Sequence, residues 1–316
     1  MVRMCGELTI IRSLNANEQP MNKRVLMSNK DKAQRFLFEN SDIRGELVSL
    51  DNSFAEAVTA HGYPAPIKKL LGEFAAASIL LGSTLKFEGL MTLQAKGDGP
   101  LSLLMVECTD KKTFRALARF DEEEITDEGL SGLLGQGTMV ITIDPVKGKR
   151  YQGIVPLNKG SLAECLQEYF AQSVQLPTKL WLASDGNACA GMLLQALPAS
   201  AEASGENREA FWSHVSALGE TIKEDELLEL DAETILHRLY HEESIRLFDA
   251  ETVAFRCNCS RERSAKIIST LNKAEVESIM AEVGHVAMDC QFCNHQHVFD
   301  AGDVENIFAE DKPSYH

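Results

Sequence analysis

The cysteines near the C-terminus are the residues whose type and spacing indicate a specific chemistry. Cys257-Asn258-Cys259 and Cys290-Gln291-Phe292-Cys293 form two close pairs, separated by a helix-sized insert. A tight turn brings both sulfurs of a Cys-x-x-Cys pair to one ion, and an extended Cys-x-Cys backbone directs side chains i and i+2 to the same face. Two such pairs are the pattern of a zinc site with four thiolate ligands. The sequence therefore predicts one zinc ion bound by Cys257, Cys259, Cys290 and Cys293.

Histidines near the second pair offer an alternative ligand set. His285, His295 and His297 lie within a few residues of Cys290 and Cys293. Imidazole is also a good zinc ligand, so one of them could replace a thiolate. The second pair alone could instead be a redox dithiol, although no βαβ helix clearly begins there.

The other four cysteines have no partner at a metal-binding spacing. They are predicted to be thiols of the core or of the N-terminal tail: Cys5, Cys108, Cys165 and Cys189. No nucleophile and base carry a catalytic signature, and the glycine-rich stretch 132–137 lacks the lysine of a phosphate-binding loop. We therefore expect a protein that is not an enzyme.

Four zinc-bound thiolates carry a net negative charge that nearby cations can offset: Arg256, Arg261, Arg263 and Lys266. The region from Cys257 to the chain end has few large apolar side chains, so bound metal must supply much of its stability. Thiolates are also the form of cysteine that oxidants attack, and each pair can then close on itself. These features are typical of an oxidation switch.

The net charge of the 316-residue chain is −16, and half of it lies in one segment. Residues 204–256 contain thirteen acidic and five basic residues. This balance opposes binding to nucleic acid or to an anionic membrane. No apolar run is long enough to span a bilayer, and the N-terminus lacks the apolar stretch of a signal peptide, so we expect a cytoplasmic protein.

Residues 30–203 predict an α+β domain of mainly antiparallel sheets with packed helices. Pro64 precedes an apolar helical stretch, and Ser161 with Glu164 forms a capping box before a second helix. Strand patterns occur at 44–51, 90–95, 101–108, 114–120, 138–143, 179–183 and 192–197.

The acidic segment 204–256, here called the linker, predicts amphipathic helices. Phe211, Val215 and Leu218 share one helical face, and Asp231 is a candidate N-cap for a second helix. Such faces need a surface to cover, and the preceding domain is the nearest large one. Two further helices, at 262–271 and 274–283, fill the insert between the cysteine pairs. The chain thus divides into an extension (1–29), the α+β core (30–203), the linker (204–256) and a small zinc domain with its tail (257–316).

The C-terminal region resembles the zinc domain of the 33 kDa chaperonin family, whose members are bacterial redox-regulated holdases. The resemblance rests here on the two cysteine pairs, Ser260, Arg263 and the stretch 284–299. The resemblance continues upstream and covers nearly everything from Lys30 to the end. The stretches that carry it are 35–38, 44–48, 135–144, 151–155 and 168–177.

The resemblance implies an ATP-independent chaperone that is inactive while reduced and zinc-bound. Oxidative stress would expel zinc and form Cys257–Cys259 and Cys290–Cys293 disulfides. The linker would then unfold, expose apolar surface for unfolding client proteins, and the active form would be a homodimer. Two other functions compete with this interpretation: a zinc-ribbon adaptor for nucleic acid or a partner, and a dithiol oxidoreductase.

Overall fold

The computed structural model of the chain describes residues 30–39, 41–85, 87–125, 129–198 and 205–310. The predicted extension 1–29, with Cys5, lies outside the described residues. None of the helices within the described ranges has the length and apolar character needed to cross a membrane.

Two six-stranded sheets form the core. Sheet A has the order β10-β1-β2-β9-β8, with β11 also paired to β1, and all its pairs are antiparallel. Its strands are β1 (Lys32–Phe38), β2 (Ile43–Leu50), β8 (Thr178–Ser184), β9 (Cys189–Ala196), β10 (Ile245–Leu247) and β11 (Glu251–Thr252). The prediction of an α+β fold built on antiparallel sheets is confirmed.

Sheet B has the order β12-β5-β4-β3-β6-β7, antiparallel except for the pair of β12 with β5. Its strands are β3 (Gly89–Lys96), β4 (Leu101–Thr109), β5 (Thr113–Phe120), β6 (Gly137–Pro145), β7 (Tyr151–Leu157) and β12 (Ala254–Phe255). Because side chains alternate along a strand, Arg115, Leu117 and Arg119 of β5 share the outer face of this sheet.

The helix that follows Pro64 fills the space between the two sheets. This helix, α2 (Ala65–Thr84), is buried over almost its whole circumference and packs on strands of both sheets. The other helices of this part are α1 (Asn52–Thr59), α3 (Leu130–Leu134) and α4 (Leu162–Tyr169). The capping box predicted at Ser161 and Glu164 is present at the start of α4.

The linker contains three helices, of which the sequence predicts the first and the third. They are α5 (Gly205–Gly219), α6 (Glu224–Glu229) and α7 (Ala232–Tyr240), and Asp231 caps α7 by accepting from the Thr234 N–H. The structure differs from the prediction after residue 244, where the linker forms β10, β11 and β12. Two- and three-residue strands carry no periodic signal, so only pairing with an existing sheet edge reveals them.

The cysteine region, residues 257–310, is a small unit beside the core. It contains α8 (Arg261–Ser269), α9 (Lys273–Val283), the hairpin of β13 (Val286–Asp289) and β14 (Gln296–Phe299), and α10 (Ala301–Glu310). The two predicted helices of the insert are confirmed. The domain boundaries at 204 and 257 stay a prediction.

Candidate metal centre

The four predicted ligands lie together. The sulfurs of Cys257, Cys259, Cys290 and Cys293 all lie within 4.8 Å of one another. The Cys257–Cys290 and Cys259–Cys293 sulfurs are both 3.5 Å apart. Four sulfurs at about 2.3 Å from a central zinc ion would be separated by about 3.8 Å, so this spacing fits one tetrahedral metal.

Local backbone structure positions each cysteine pair. The second pair forms a tight turn, in which the Cys293 and Asn294 N–H groups both donate to the Cys290 carbonyl oxygen. Asn294 closes this turn with a φ of 53°, a conformation that Asn tolerates better than most residues. The first pair enters from β12, and Ser260 caps the helix that follows it. Arg263 donates to the Asn258 carbonyl oxygen at 2.9 Å and holds this segment against α8.

Electrostatics within the cluster favour a bound cation. Burial raises the pKa of Cys257, but hydrogen bonds from the Cys259 backbone and the neighbouring thiols outweigh it and lower that pKa below its ordinary value. Burial raises the pKa of Cys259 and of Cys293. One thiolate is therefore accommodated readily, whereas four adjacent thiolates need a divalent cation to offset their charge.

The histidines are not part of the ligand cluster. Among residues 30–310, outside the short gaps, the group of side chains able to hold a metal contains the four cysteines alone. The rings of His295 and His297 contact each other in an edge-to-face arrangement, with centroids 4.6 Å apart. The second pair lies in the turn between β13 and β14 rather than at the start of a helix, which does not match a dithiol oxidoreductase motif.

The hydrophobic core of the cysteine region is small. Its fully packed side chains number five: Ile268, Val276, Val286, Phe299 and Val304. Arg261 adds a contact between its guanidinium and the Phe299 ring, at 4.4 Å, and an ion pair with Asp303. A core of this size supports a unit of 54 residues only with a further crosslink, which the four cysteines can supply by binding a metal.

A second candidate surface lies on the outer face of sheet A, and the linker helices cover it. Phe36, Phe38 and Met192 of the sheet are fully or almost fully buried beneath them. The Tyr240 ring contacts Phe38 edge-to-face at 5.0 Å, and the Tyr240 hydroxyl donates to the Val215 carbonyl oxygen. The expectation that the linker covers the preceding domain agrees with this packing.

The end of the linker joins both sheets to the metal centre. The Val253 N–H donates to Asp31 beside sheet A, and the Ala254 and Arg256 N–H groups donate to Lys112 and Phe114 on sheet B. Val253 itself is buried in the main core. Cys257 follows directly, so the first cysteine of the cluster is one residue away from the last of these hydrogen bonds.

Three residues of the core contact the two cysteine pairs and hold them against sheet B. The sequence analysis did not identify these residues. Arg115 Nη1 donates to Asn258 Oδ1 at 2.5 Å, and its guanidinium lies 3.9 Å from the centroid of the Phe292 ring. Arg119 donates to Gln291 Oε1 at 2.5 Å, and His61 Nε2 lies 3.1 Å from the Phe292 carbonyl oxygen. The alternation of β5 predicts that its arginines face outward, but nothing in the sequence indicates what they contact.

Comparison with known proteins places these features in one family. Residues 31–300 match the Hsp33 protein family. The 33 kDa chaperonin of Ectopseudomonas mendocina is 51% identical over 281 residues, which cover 88% of this chain and 95% of that protein. The 33 kDa chaperonin of Pseudomonas aeruginosa is 50% identical over 285 residues, covering 90% and 96% respectively.

The fold is also shared with a solved structure. The crystal structure of the 33 kDa chaperonin from Thermotoga maritima superposes with a TM-score of 0.74, at 21% identity, over 89% of this chain and 98% of that one. Sequence identity over most of the length, a matching fold and a four-cysteine cluster agree with one another, and the chain belongs to the Hsp33 family of 33 kDa chaperonins.

Proposed function

We propose that this redox-regulated holdase is held inactive by one zinc ion bound to Cys257, Cys259, Cys290 and Cys293. In the reduced form the linker covers the outer face of sheet A. Oxidation releases the metal, the linker leaves the sheet, and the exposed face binds unfolding proteins before they aggregate irreversibly. No ATP is consumed, and no enzymatic step is involved.

The observation that carries this proposal is the apolar face of sheet A, whose cover is the linker. Phe36 has no exposed surface and Phe38 is 2% exposed, so removal of the linker helices would bring two aromatic rings into water. A patch of this kind binds apolar segments of other chains. The linker carries a net charge of −8 and has short helices, so its attachment depends on tertiary contacts rather than on intrinsic helix stability.

The chemistry of the switch involves the two cysteine pairs. Bound zinc keeps the four cysteines as thiolates and holds the two pairs together. Each pair then loses two electrons: one thiolate attacks the oxidant to give a sulfenic acid, and the second thiolate displaces its hydroxyl group to form the disulfide. With hydrogen peroxide, each disulfide formed consumes one peroxide and two protons and yields two waters.

The proposed disulfides are Cys257–Cys259 and Cys290–Cys293. The closest sulfurs in the folded cluster belong to different pairs, at 3.5 Å. Once the metal is absent, however, the two cysteines of each pair stay two or three residues apart, whereas the two pairs stay together through a small core and a few contacts with sheet B. Short loops close with the smaller entropic cost, which favours pairing within each pair.

The finer features of the active form follow from the same proposal. The clients are unfolded or partly folded proteins, the oxidised protein is a homodimer, and it acts in the cytoplasm during oxidative stress. The net charge of −16 argues against nucleic acid as a partner.

The test compares the reduced, zinc-loaded protein with protein treated with peroxide at mild heat. We expect one zinc per chain to be released, the two proposed disulfides to appear in peptide mapping, and suppression of aggregation of a thermally unfolding client only afterwards. A Cys165→Ala variant is the matched control, since Cys165 is a buried core thiol. Equal suppression by the reduced form, or crosslinks between Cys257 and Cys290, would contradict the proposal.

A further inference from the structure

We propose that Arg115 is a positioning residue: its contacts with both cysteine pairs couple the arrangement of the pairs to the attachment of residues 253–256 to the core. This inference rests on the proposed function and concerns how loss of the metal reaches the linker. Arg115 lies on the outer face of β5, outside the metal centre.

An ion pair within sheet B fixes the orientation of the Arg115 guanidinium independently of the cysteine region. Glu107 lies opposite Arg115 on β4, and the Nε and Nη2 atoms of Arg115 are both 2.7 Å from Glu107 Oε2. The two side chains are only 18% and 14% exposed, so solvent screens this pair weakly. The remaining surface of the guanidinium, its Nη1 edge and one face, is thereby oriented toward the cysteine region.

The Nη1 edge and the open face of the Arg115 guanidinium each contact a different cysteine pair. Nη1 binds the side chain of Asn258, the residue enclosed between Cys257 and Cys259. The planar face lies on the ring of Phe292, which is enclosed between Cys290 and Cys293. A cation over an aromatic face and a charged hydrogen bond are both stabilising. Arg115 makes both contacts only while the two pairs lie side by side.

Oxidation of either pair would remove one of these contacts. A disulfide between Cys257 and Cys259 closes a small ring around Asn258 and reorients its side chain, and a Cys290–Cys293 disulfide does the same for Phe292. The consequence reaches the linker through β5, because Arg256 and Ala254 are hydrogen-bonded beside this strand at Phe114 and Lys112. Loss of the Arg115 contacts therefore weakens the attachment of residues 253–256 to the core.

Arg119 provides a matched control on the same strand and face. Its contact in the cysteine region is with Gln291, within the second pair alone. Arg119→Gln removes the same charge from β5 but leaves the link between the two pairs intact. The two variants therefore separate the bridging role of Arg115 from a general effect of positive charge on sheet B.

The experiment measures amide hydrogen exchange of residues 248–256 in reduced, zinc-loaded full-length protein, with no oxidant and no client. We expect Arg115→Gln to retain one zinc per chain and to exchange these amides at least about fivefold faster than the parent protein, which is the effect of losing two modest contacts. Arg119→Gln should stay within about twofold of the parent.

Three results would overturn the proposal: parent-like exchange in Arg115→Gln, equally fast exchange in Arg119→Gln, or loss of zinc from reduced Arg115→Gln. If Arg115→Gln fails to fold, the Asn258→Ala variant tests the proposal instead, because it leaves β5 unchanged. We expect residues 248–256 of that variant to exchange about threefold faster than in the parent protein. Because the readout needs neither oxidation nor a client, failure of this inference is distinguishable from failure of the proposed holdase switch.

Discussion

The backbone N–H of Arg256 donates to the Phe114 carbonyl oxygen at 2.9 Å, immediately before the first cysteine of the metal centre. This hydrogen bond belongs to the short parallel pairing of β12 with β5. The segment that ends the linker is therefore held at one side by the core and at the other by the cysteine region. Loss of structure in the cysteine region removes one of these two anchors.

Truncation of Tyr240 should release the linker without oxidation. Tyr240 is 2% exposed and contacts Phe38 of sheet A, so Tyr240→Ala should destabilise linker packing by roughly 3–5 kcal/mol. We expect the reduced, zinc-loaded variant to suppress client aggregation constitutively. Tyr240→Phe removes only the hydrogen bond to Val215, at a cost of about 1 kcal/mol, and should stay inactive until oxidised. An inactive Tyr240→Ala protein would show that this contact does not hold the linker.

The stability of the reduced protein should decrease as the pH rises through neutrality. Glu73 of α2 lines a cavity of about 580 Å³ together with Glu224 of α6. Burial raises the pKa of Glu73 to about 7, while Lys69 opposes the shift and Glu224 adds to it. The protonated form therefore suits the packed state. Its stabilising effect is complete below the ordinary carboxyl pKa and is lost as the pH rises through about 7.

The measurement is thermal unfolding of the reduced, zinc-loaded protein between pH 5 and pH 8. Glu73→Gln should flatten the decrease in stability with pH and stabilise the protein at pH 8, by an amount on the order of 3 kcal/mol at most. Glu209→Gln, an exposed change on α5, should leave the pH profile unaltered. An unchanged pH profile in Glu73→Gln would exclude this residue as the titrating group.

Removal of zinc from the reduced protein should unfold the cysteine region selectively. Its core has five fully packed side chains, whereas bound zinc contributes roughly 10–16 kcal/mol of apparent stability in comparable sites. We expect a chelator to abolish amide protection in α8, α9 and α10 and to leave α2 protected. Re-addition of zinc under reducing conditions should restore the signal. If α8, α9 and α10 kept their amide protection without metal, the small core alone would be sufficient to keep the cysteine region folded.

Mild oxidation should consume the four clustered thiols and leave the three buried core thiols reduced. Burial raises the pKa of Cys108 to about 11, and burial also raises the pKa of Cys165 and of Cys189. These core thiols are therefore protonated and react slowly with peroxide. Mass spectrometry after alkylation should find them reduced while all four cluster cysteines are oxidised. Early oxidation of Cys108 would show that the core opens before the metal centre responds.

The sequence predicted those features that depend on local pattern or fixed spacing. The clustering of the four cysteines, the capping box at Ser161 and the N-cap at Asp231 are found in the structure because each follows from a local pattern or a fixed spacing; the zinc-ligand role of the cysteines stays a prediction. The strands β10 to β12 were not predicted, since they exist only by pairing with edges formed far away in the chain. Arg115 was not identified for the same reason: its partners lie 143 residues away at Asn258 and still further along at Phe292.

The pairing of β12 with β5, and of β11 and β10 with β1, implies an order in which surfaces would open. Strands β10, β11 and β12 lie between the linker helices and the metal centre along the chain, so disorder that starts at Cys257 reaches them before α7, α6 and α5. Release of β12 first frees the edge of β5, release of β11 and β10 then frees the backbone edge of β1, and the aromatic face of sheet A follows. A partly opened molecule would thus present main-chain donors and acceptors to an extended peptide, and only a fully opened one would offer the apolar face.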